Sequence, residues 1–253
     1  MKKNFSEFML QVRNIVNKDY LVYKNLLEPK QMAPENWLNT RFLPTLLLLP
    51  VVIKGEVGHK EISLAAMIEM SYLAQCVHNN APKKGDGKDY RMPILIGDFM
   101  FASAIKGLVK ENQTCWLERM GNVICRMNEG RAVRSNWQER SYVPVDEKVE
   151  NLQKEYAELS ALAGIIGSEL AQLDQETSQL YTAFAFYAGV IQGIIANGYN
   201  EQQSGVADTY NRYCEQYIAA MPEELAAGAA EILKNLNGKA EPEAGHSVLQ
   251  NLA

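Results

Sequence analysis

The sequence predicts an all-α fold in a single domain. Apolar residues recur at steps of three and four along most of the chain, which is the spacing of one face of an α-helix. Alternation of apolar and polar residues, which would indicate β-strands, never extends beyond a few positions. Hydrophobic residues make up 47% of the 253 residues, enough for a sizeable core. We expect a bundle of about eight to ten helices over residues 1–238, followed by a flexible tail over 239–253.

The predicted helices follow one another with short breaks. The first covers residues 4–27, and the second is the apolar run FLPTLLLLPVVI at 42–53, with a proline near its start. Residues 60–80 are apolar on nearly every side, which is typical of a helix at the centre of a bundle. Pro, Gly and Lys in APKKGDGKDY (81–90) indicate an exposed loop, and residues 131–147 lose the helical period. The other predicted helices lie at 92–109, 115–127, 149–172, 176–197, 205–220 and 222–236.

Composition and spacing exclude several function classes. The net charge is -5 and Lys and Arg are scattered, so no basic surface for nucleic acid is expected. The longest apolar run, 42–53, is too short to cross a bilayer, and the N-terminus has no apolar signal segment. We expect a cytoplasmic protein with no transmembrane segment. The cysteines have neither disulfide nor metal-site spacing and are expected to be small buried hydrophobes: Cys76, Cys115, Cys125 and Cys214.

Three stretches, taken in order, resemble trans-polyprenyl diphosphate synthases. AAMIEMSYLAQCVHNNA (65–81) resembles the family helix that ends in His-Asp-Asp-x-x-Asp, the first aspartate-rich motif. ILIGDFMFASA (94–104) resembles the family helix that follows it. The third stretch, Ala157 to Asn197, contains two such helices: ELSALAGIIGSELA (158–171) resembles the helix after the family's Lys-Thr pair, and YAGVIQGIIAN (187–197) resembles the helix that carries Phe-Gln-x-x-Asp-Asp. The order and spacing of these stretches, over about residues 30–235, carry the resemblance.

The first aspartate-rich motif of the family is degenerate in this chain. The family uses two aspartate clusters to hold Mg²⁺ ions around an allylic diphosphate, which helps the diphosphate to leave. Here the first motif begins with His78, then Asn79 and Asn80 stand where the first two aspartates belong. Lys83 stands where the third belongs, and its charge would repel Mg²⁺. The simplest interpretation makes His78 a hydrogen-bonded helix-end residue and the two asparagines a helix cap, with the lysine in a solvated loop.

The second motif has lost its aspartates as well. Gln192 is kept, but Ile195 and Ala196 replace the two aspartates, and apolar side chains cannot bind Mg²⁺. Glu155 stands where the family has the lysine of its Lys-Thr pair, and Arg41 is kept from a basic cluster near the N-terminus. The resemblance therefore implies no metal site and no catalytic residue in this chain, with Mg²⁺ expected on a catalytic partner.

The residues before the first motif could have one of two roles. In the family, side chains one or two turns before this motif line the tunnel that limits product length. Here those positions are Ser71, Ala74 and Gln75. They can line such a tunnel or simply pack within the bundle.

Three functions are compatible with a chain that resembles the family in its helices but lacks the aspartates of both metal-binding motifs. The first is a non-catalytic, chain-length-determining subunit of a heteromeric polyprenyl diphosphate synthase, supplying quinone side chains and pairing through a surface at about residues 93–134. The second is an isoprenoid-binding homodimeric pseudoenzyme. The third is a stand-alone prenyltransferase with unusual ligands, which Ile195 and Ala196 argue against.

Overall fold

The computed structural model describes residues 5–24, 41–55, 57–82, 90–137, 140–198 and 204–238. Lys83 and the tail predicted over 239–253 lie outside these residues. Within the described ranges the chain forms ten α-helices and no β-strand, which confirms the all-α prediction. Their bounds are α1 Phe5–Lys24, α2 Phe42–Lys54, α3 His59–Asn79, α4 Arg91–Lys110, α5 Leu117–Asn136, α6 Val145–Leu152, α7 Glu158–Leu170, α8 Gln175–Ala196, α9 Ser204–Ala220 and α10 Glu223–Leu236.

The centre of the bundle is formed by α2 and α3. Every residue of α2 from Phe42 to Val52 is buried, and so is every residue of α3 from Ile62 to His78. Helix α3 contacts α1, α2, α4, α5 and α7. A helix surrounded on all sides has no polar face, which is why residues 60–80 are apolar nearly all round.

Small residues on α7 let two neighbouring helices approach closely. A Cβ added at Gly167 would lie 2.3 Å from the carbonyl oxygen of Leu47 on α2. One added at Gly164 would lie 2.9 Å from the Cβ of Ala185 on α8. Real Cβ atoms do not approach so closely, so glycine is required at both positions for this packing.

The structure corrects two details of the sequence prediction. Helix α5 runs to Asn136, so the first part of the segment predicted to lose its helical period is helical. Cys76 and Cys214 are buried as expected, but Cys115 and Cys125 are exposed. Cys115 lies in a short 3₁₀ turn, Thr114–Trp116, where Trp116 is the buried residue. Cys125 lies on the outer side of α5, because Met120 and Met127 supply the buried face of that helix.

Two of the described helices are long and apolar enough to cross a membrane by length and composition, α4 and α8. In the most apolar 18-residue segment of α8, 50% of the segment is buried inside the bundle, and in the corresponding segment of α4, 39% is buried. Core helices of bundles commonly meet the same criteria. Helix α4 nevertheless carries an exposed apolar face.

Candidate functional site

The residues at the two motif positions lie at the carboxyl ends of α3 and α8, and a partly buried polar cluster connects them. Asn79 is the last residue of α3, and Asn80 caps it with φ -93° and ψ 2°. Asn80 therefore ends the helix as predicted, without the left-handed backbone that asparagine tolerates. Asn197 caps α8 directly after the second motif. The link between these helix ends is formed by Arg134 of α5 and Glu155.

His78 is a structural residue in this arrangement. Its Nε2 lies 3.0 Å from the carbonyl oxygen of Ile94 and 3.3 Å from Oδ1 of Asp98, so this nitrogen carries the proton and donates. Burial lowers the pKa of the imidazole, and the charge of Arg131 lowers it too, so His78 is neutral. A Cβ added at Gly97 would lie 2.2 Å from the ring, which shows how closely α4 packs on it. The helix-end interpretation of His78 agrees with these contacts.

Glu155 is the centre of the polar cluster. It lies in a π-helical turn, Gln153–Ala157, between α6 and α7, and its side chain is 1% exposed. Its Oε2 is 3.0 Å from Nη2 of Arg134 and accepts from Nδ2 of Asn79 at 3.5 Å. Its Oε1 accepts from Nδ2 of Asn151 at 2.5 Å. Burial raises the pKa of this carboxyl, and Arg134 and the two amides oppose that shift.

Arg134 and Asn197 complete the cluster on the α8 side. Nη1 of Arg134 donates to Oδ1 of Asn197 at 2.6 Å. Nδ2 of Asn197 donates to the hydroxyl of Tyr156 at 3.2 Å and to the carbonyl of Gly193 at 2.8 Å. The guanidinium therefore faces a carboxylate on one side and the carboxyl end of a helix on the other. Both carry negative charge, and a cation is favourable there.

A small cavity lies next to this cluster, between α3 and α8. Gln192 lines it and hydrogen-bonds Tyr72 of α3. The rings of Tyr72 and Tyr156 have centroids 6.3 Å apart and fill much of the space. The cavity has room for about one water molecule.

Glu69 is a second buried carboxyl, two turns before the first motif. It borders the same cavity, and its Oε2 has no hydrogen-bond partner within the described structure. Burial raises its pKa to about 8, opposed by the charge of Arg41. Arg41 has φ 41° and is half-buried. Glu69 is therefore protonated at neutral pH and adds no negative charge to the site.

The predicted tunnel residues face α5 instead of this cavity. Ser71 Oγ donates to the carbonyl of Met67 at 3.0 Å and contacts Met120 Sδ at 3.7 Å. Gln75 Nε2 donates to the carbonyl of Met127 at 3.2 Å, and Ala74 is fully buried. A tunnel role for these three residues stays a prediction, and in this structure they pack between helices.

The side chains at the second-motif positions of α8 point in different directions. Gln192 points inward, whereas Ile195 is 50% exposed and Ala196 is exposed too. Sequence reasoning missed Arg134 and Asn197, because neither stands at a family motif position. The partial signal was the unusual acid at Glu155, since a buried carboxylate needs a cation nearby.

The residues present do not fit the Mg²⁺ ions of the family. Mg²⁺ takes oxygen ligands in near-octahedral geometry, and proteins usually hold it through one or two unpaired carboxylates together with substrate phosphates and water. Between the two helix ends the side chains offer asparagine amides and one carboxylate, Glu155, which Arg134 already pairs. In the part of the chain that the structure describes, no group of three or more His, Cys, Asp or Glu could hold a metal ion.

Solved structures share this architecture. An isoprenoid synthase family member from Thermotoga neapolitana aligns with a TM-score of 0.67 at 16% identity, over 90% of this chain and 98% of that one. This chain has the isoprenoid-synthase fold. A geranyltranstransferase from Thermotoga maritima gives a TM-score of 0.67 at 15% identity, over 92% of this chain and 96% of that one.

The isoprenoid-synthase fold also includes small subunits. A geranyl diphosphate synthase small subunit from Antirrhinum majus aligns with a TM-score of 0.58 at 15% identity, over 90% of this chain and 98% of that one. No protein-family model matches the sequence, and no curated protein does. At these identities the likeness establishes the fold, and function has to be argued from the site.

Proposed function

We propose that this chain is a non-catalytic subunit of a heteromeric polyprenyl diphosphate synthase that makes quinone side chains. The observation that carries the proposal is the Arg134–Glu155 ion pair at 3.0 Å, which lies between the two former motif ends. A guanidinium fixed there repels divalent cations, and Asn79 and Ile195 supply no carboxylate to counter it. The catalytic step would then belong to a partner chain that carries both aspartate motifs and Mg²⁺.

Known assemblies of the same fold support this assignment. The Antirrhinum majus structure is described as a small subunit, and a mint geranyl pyrophosphate synthase of the same fold is heterotetrameric. The mint structure aligns with a TM-score of 0.60 at 16% identity. The alternative is an isoprenoid-binding homodimer. The cavity between α3 and α8 has room for about one water molecule, so an isoprenoid chain would have to lie elsewhere, as in the open groove of about 520 Å³ that Ile165 and Phe186 line between α7 and α8.

The test is a condensation assay with an allylic diphosphate, isopentenyl diphosphate and Mg²⁺. The chain is assayed alone, and then after co-expression with a motif-complete synthase from the same genome. We expect no product from the chain alone and longer or more abundant product from the pair than from the synthase alone. Metal-dependent condensation by the purified chain would contradict the proposal.

A control variant separates assembly from residual chemistry. Glu155→Gln removes the carboxylate that the described structure places between the motif ends, and it keeps the shape of the side chain. If the chain contributes no catalytic group, the variant leaves the activity of the assembled pair within about twofold. Loss of activity with assembly intact would assign this carboxylate to the reaction.

A further inference from the structure

Between their ends, α7 and α8 carry no charged residue. The sequence has no Asp, Glu, Lys or Arg over residues 177–200, and none over residues 159–168. Only 50% of the most apolar 18-residue segment of α8 is buried inside the bundle, so part of this uncharged run lies on the outside. The outward face of a bundle helix ordinarily carries charged residues. An outer face without them marks an interaction surface.

A groove of about 520 Å³ follows this face. Four of the residues that line it are small or apolar, two on α7 and two on α8: Ala161, Ile165, Ala183 and Phe186. Along α8 the groove covers residues 178–187, a distance of about 14 Å at 1.5 Å per residue. Small-molecule sites in proteins have volumes of about 300–1,000 Å³ and a largely apolar lining, and this groove meets both criteria.

Polar groups gather at one end of the groove. Ser178, Gln179 and Thr182 line it there, and their side chains have no hydrogen-bond partner among the described residues. Their hydroxyl and amide groups can therefore donate to a ligand and accept from it. None of the described residues that line the groove is charged, so this end suits an uncharged group that carries oxygen.

Aromatic rings close the other end. The ring centroid of Tyr187 lies 5.1 Å from that of Tyr213 and 5.6 Å from that of Tyr217, both on α9. The ring of Phe186 meets Tyr187 edge-on, with centroids 5.6 Å apart, and Tyr213 is 39% exposed. Such rings offer a broad apolar surface to a hydrocarbon chain.

The shape and charge of the groove select one class of ligand. A diphosphate would find no cation among the described lining residues, and burying an unpaired charge is costly. A bilayer surface is flat, whereas the groove between two helices is concave and admits a single chain. An uncharged amphiphile with one hydrocarbon chain fits both ends of the groove.

We propose that this groove binds an uncharged isoprenoid, with the oxygen of its head group at Ser178 and Thr182 and its chain along Phe186 toward the tyrosines of α9. That the chain is an isoprenoid rests on the proposed function, whereas the selection against charge rests on the groove alone. The site requires no homodimer. It lies on the outside of the bundle, about two turns of α8 before Ile195.

The first experiment is equilibrium dialysis of the purified chain with farnesol or farnesyl diphosphate, without Mg²⁺. We expect farnesol to bind at least about tenfold more tightly than its diphosphate. Thr182→Arg places a cation in the groove, so it should weaken farnesol binding at least about tenfold and remove the preference over the diphosphate. Asn235→Arg, at an exposed position of α10 outside the groove, is the matched control and should change neither affinity. Ser178→Ala removes only a hydroxyl and should weaken farnesol binding about two- to tenfold.

Three results of this experiment would overturn the proposal. The first is a wild-type chain that binds no farnesol, and the second is one that binds the diphosphate as tightly as farnesol. The third is equal farnesol binding by Thr182→Arg and Asn235→Arg.

The second experiment locates the ligand by photo-crosslinking with a diazirine analogue of farnesol, followed by mass spectrometry. The label should fall within residues 161–165 or 178–187 or on the tyrosines of α9, and a label on none of these overturns the proposal. So does co-sedimentation with neutral phosphatidylcholine vesicles that Thr182→Arg abolishes, since this face would then meet a bilayer. Neither experiment uses a partner chain or measures condensation. An empty groove therefore leaves the proposed subunit role standing, and condensation by the chain alone leaves the groove standing.

Discussion

Replacing Arg134 tests whether its ion pair with Glu155 stabilises the polar cluster between the ends of α3 and α8. Arg134→Met keeps much of the side-chain volume and removes the guanidinium that lies 3.0 Å from Glu155. The carboxylate, 1% exposed, is then buried with only two amide donors. Removing one partner of a buried pair costs about 3–5 kcal/mol. We expect a loss of about 3 kcal/mol in the free energy of unfolding at pH 8.

The free energy of unfolding that Arg134→Met loses should increase as the pH rises. Burial holds the pKa of Glu155 above its ordinary value of 4.5. A carboxyl group whose pKa is higher in the folded than in the unfolded state stabilises the fold most at pH values below its unfolded-state pKa. This stabilisation is lost as the pH rises through the folded-state pKa. Arg134→Met removes the cation that opposes this rise, so the variant should lose more stability than the wild type between pH 5 and pH 8.

Urea denaturation at both pH values measures the effect. Adding Glu155→Gln to Arg134→Met should restore most of the stability at pH 8, because the uncompensated charge is gone. Arg126→Met removes an exposed pair with Glu158 and should cost less than about 1 kcal/mol. A loss below about 1 kcal/mol for Arg134→Met, or the same loss at both pH values, would refute the reasoning.

Two further predictions concern α4 and α3. Gly97→Ala places a Cβ 2.2 Å from the ring of His78 and should cost about 1–3 kcal/mol in urea denaturation. Gly121→Ala, with no atom within 4 Å of the added Cβ, should instead stabilise by about 0.5–1 kcal/mol, and equal effects would contradict the packing argument. For Glu69, whose pKa is raised from 4.5 to about 8, stability should fall as the pH rises across that interval. Glu69→Gln should flatten this dependence in denaturation curves, and an unchanged slope would mean that another group titrates.

The sequence predicts the helices well because their apolar periods are long. Residues 60–80 were expected to form a central helix, and α3 runs from His59 to Asn79 with its middle fully buried. The predicted helix at 149–172 is real, but it contains the π-turn at Gln153–Ala157. A single π-turn inside an α-helix is rare, and the apolar period of this segment does not distinguish it from a continuous α-helix.

The polar cluster was predictable only in part. The motif comparison draws attention to Asn79 and Glu155, and the structure brings these two side chains together. Arg134 could not be found in this way, because it comes from α5, 55 positions after Asn79. Pairing across that separation depends on how α5 packs against the π-turn, which periodicity does not encode.

The π-turn at Gln153–Ala157 has a consequence for comparing this chain with its structural neighbours. Such a turn holds one residue more than the α-helical turn it replaces. An alignment carried back from α7 sets Glu155 against the family lysine, as the sequence comparison did. An alignment that starts at α6 and treats the following segment as a regular α-helix is shifted by one residue. It therefore places Lys154, instead of Glu155, at the position of the family lysine. In this chain Lys154 lies on a half-buried face, 3.0 Å from Glu150, and Glu155 faces Arg134. An alignment of this segment with a regular α-helix therefore has to place a one-residue insertion in the π-turn.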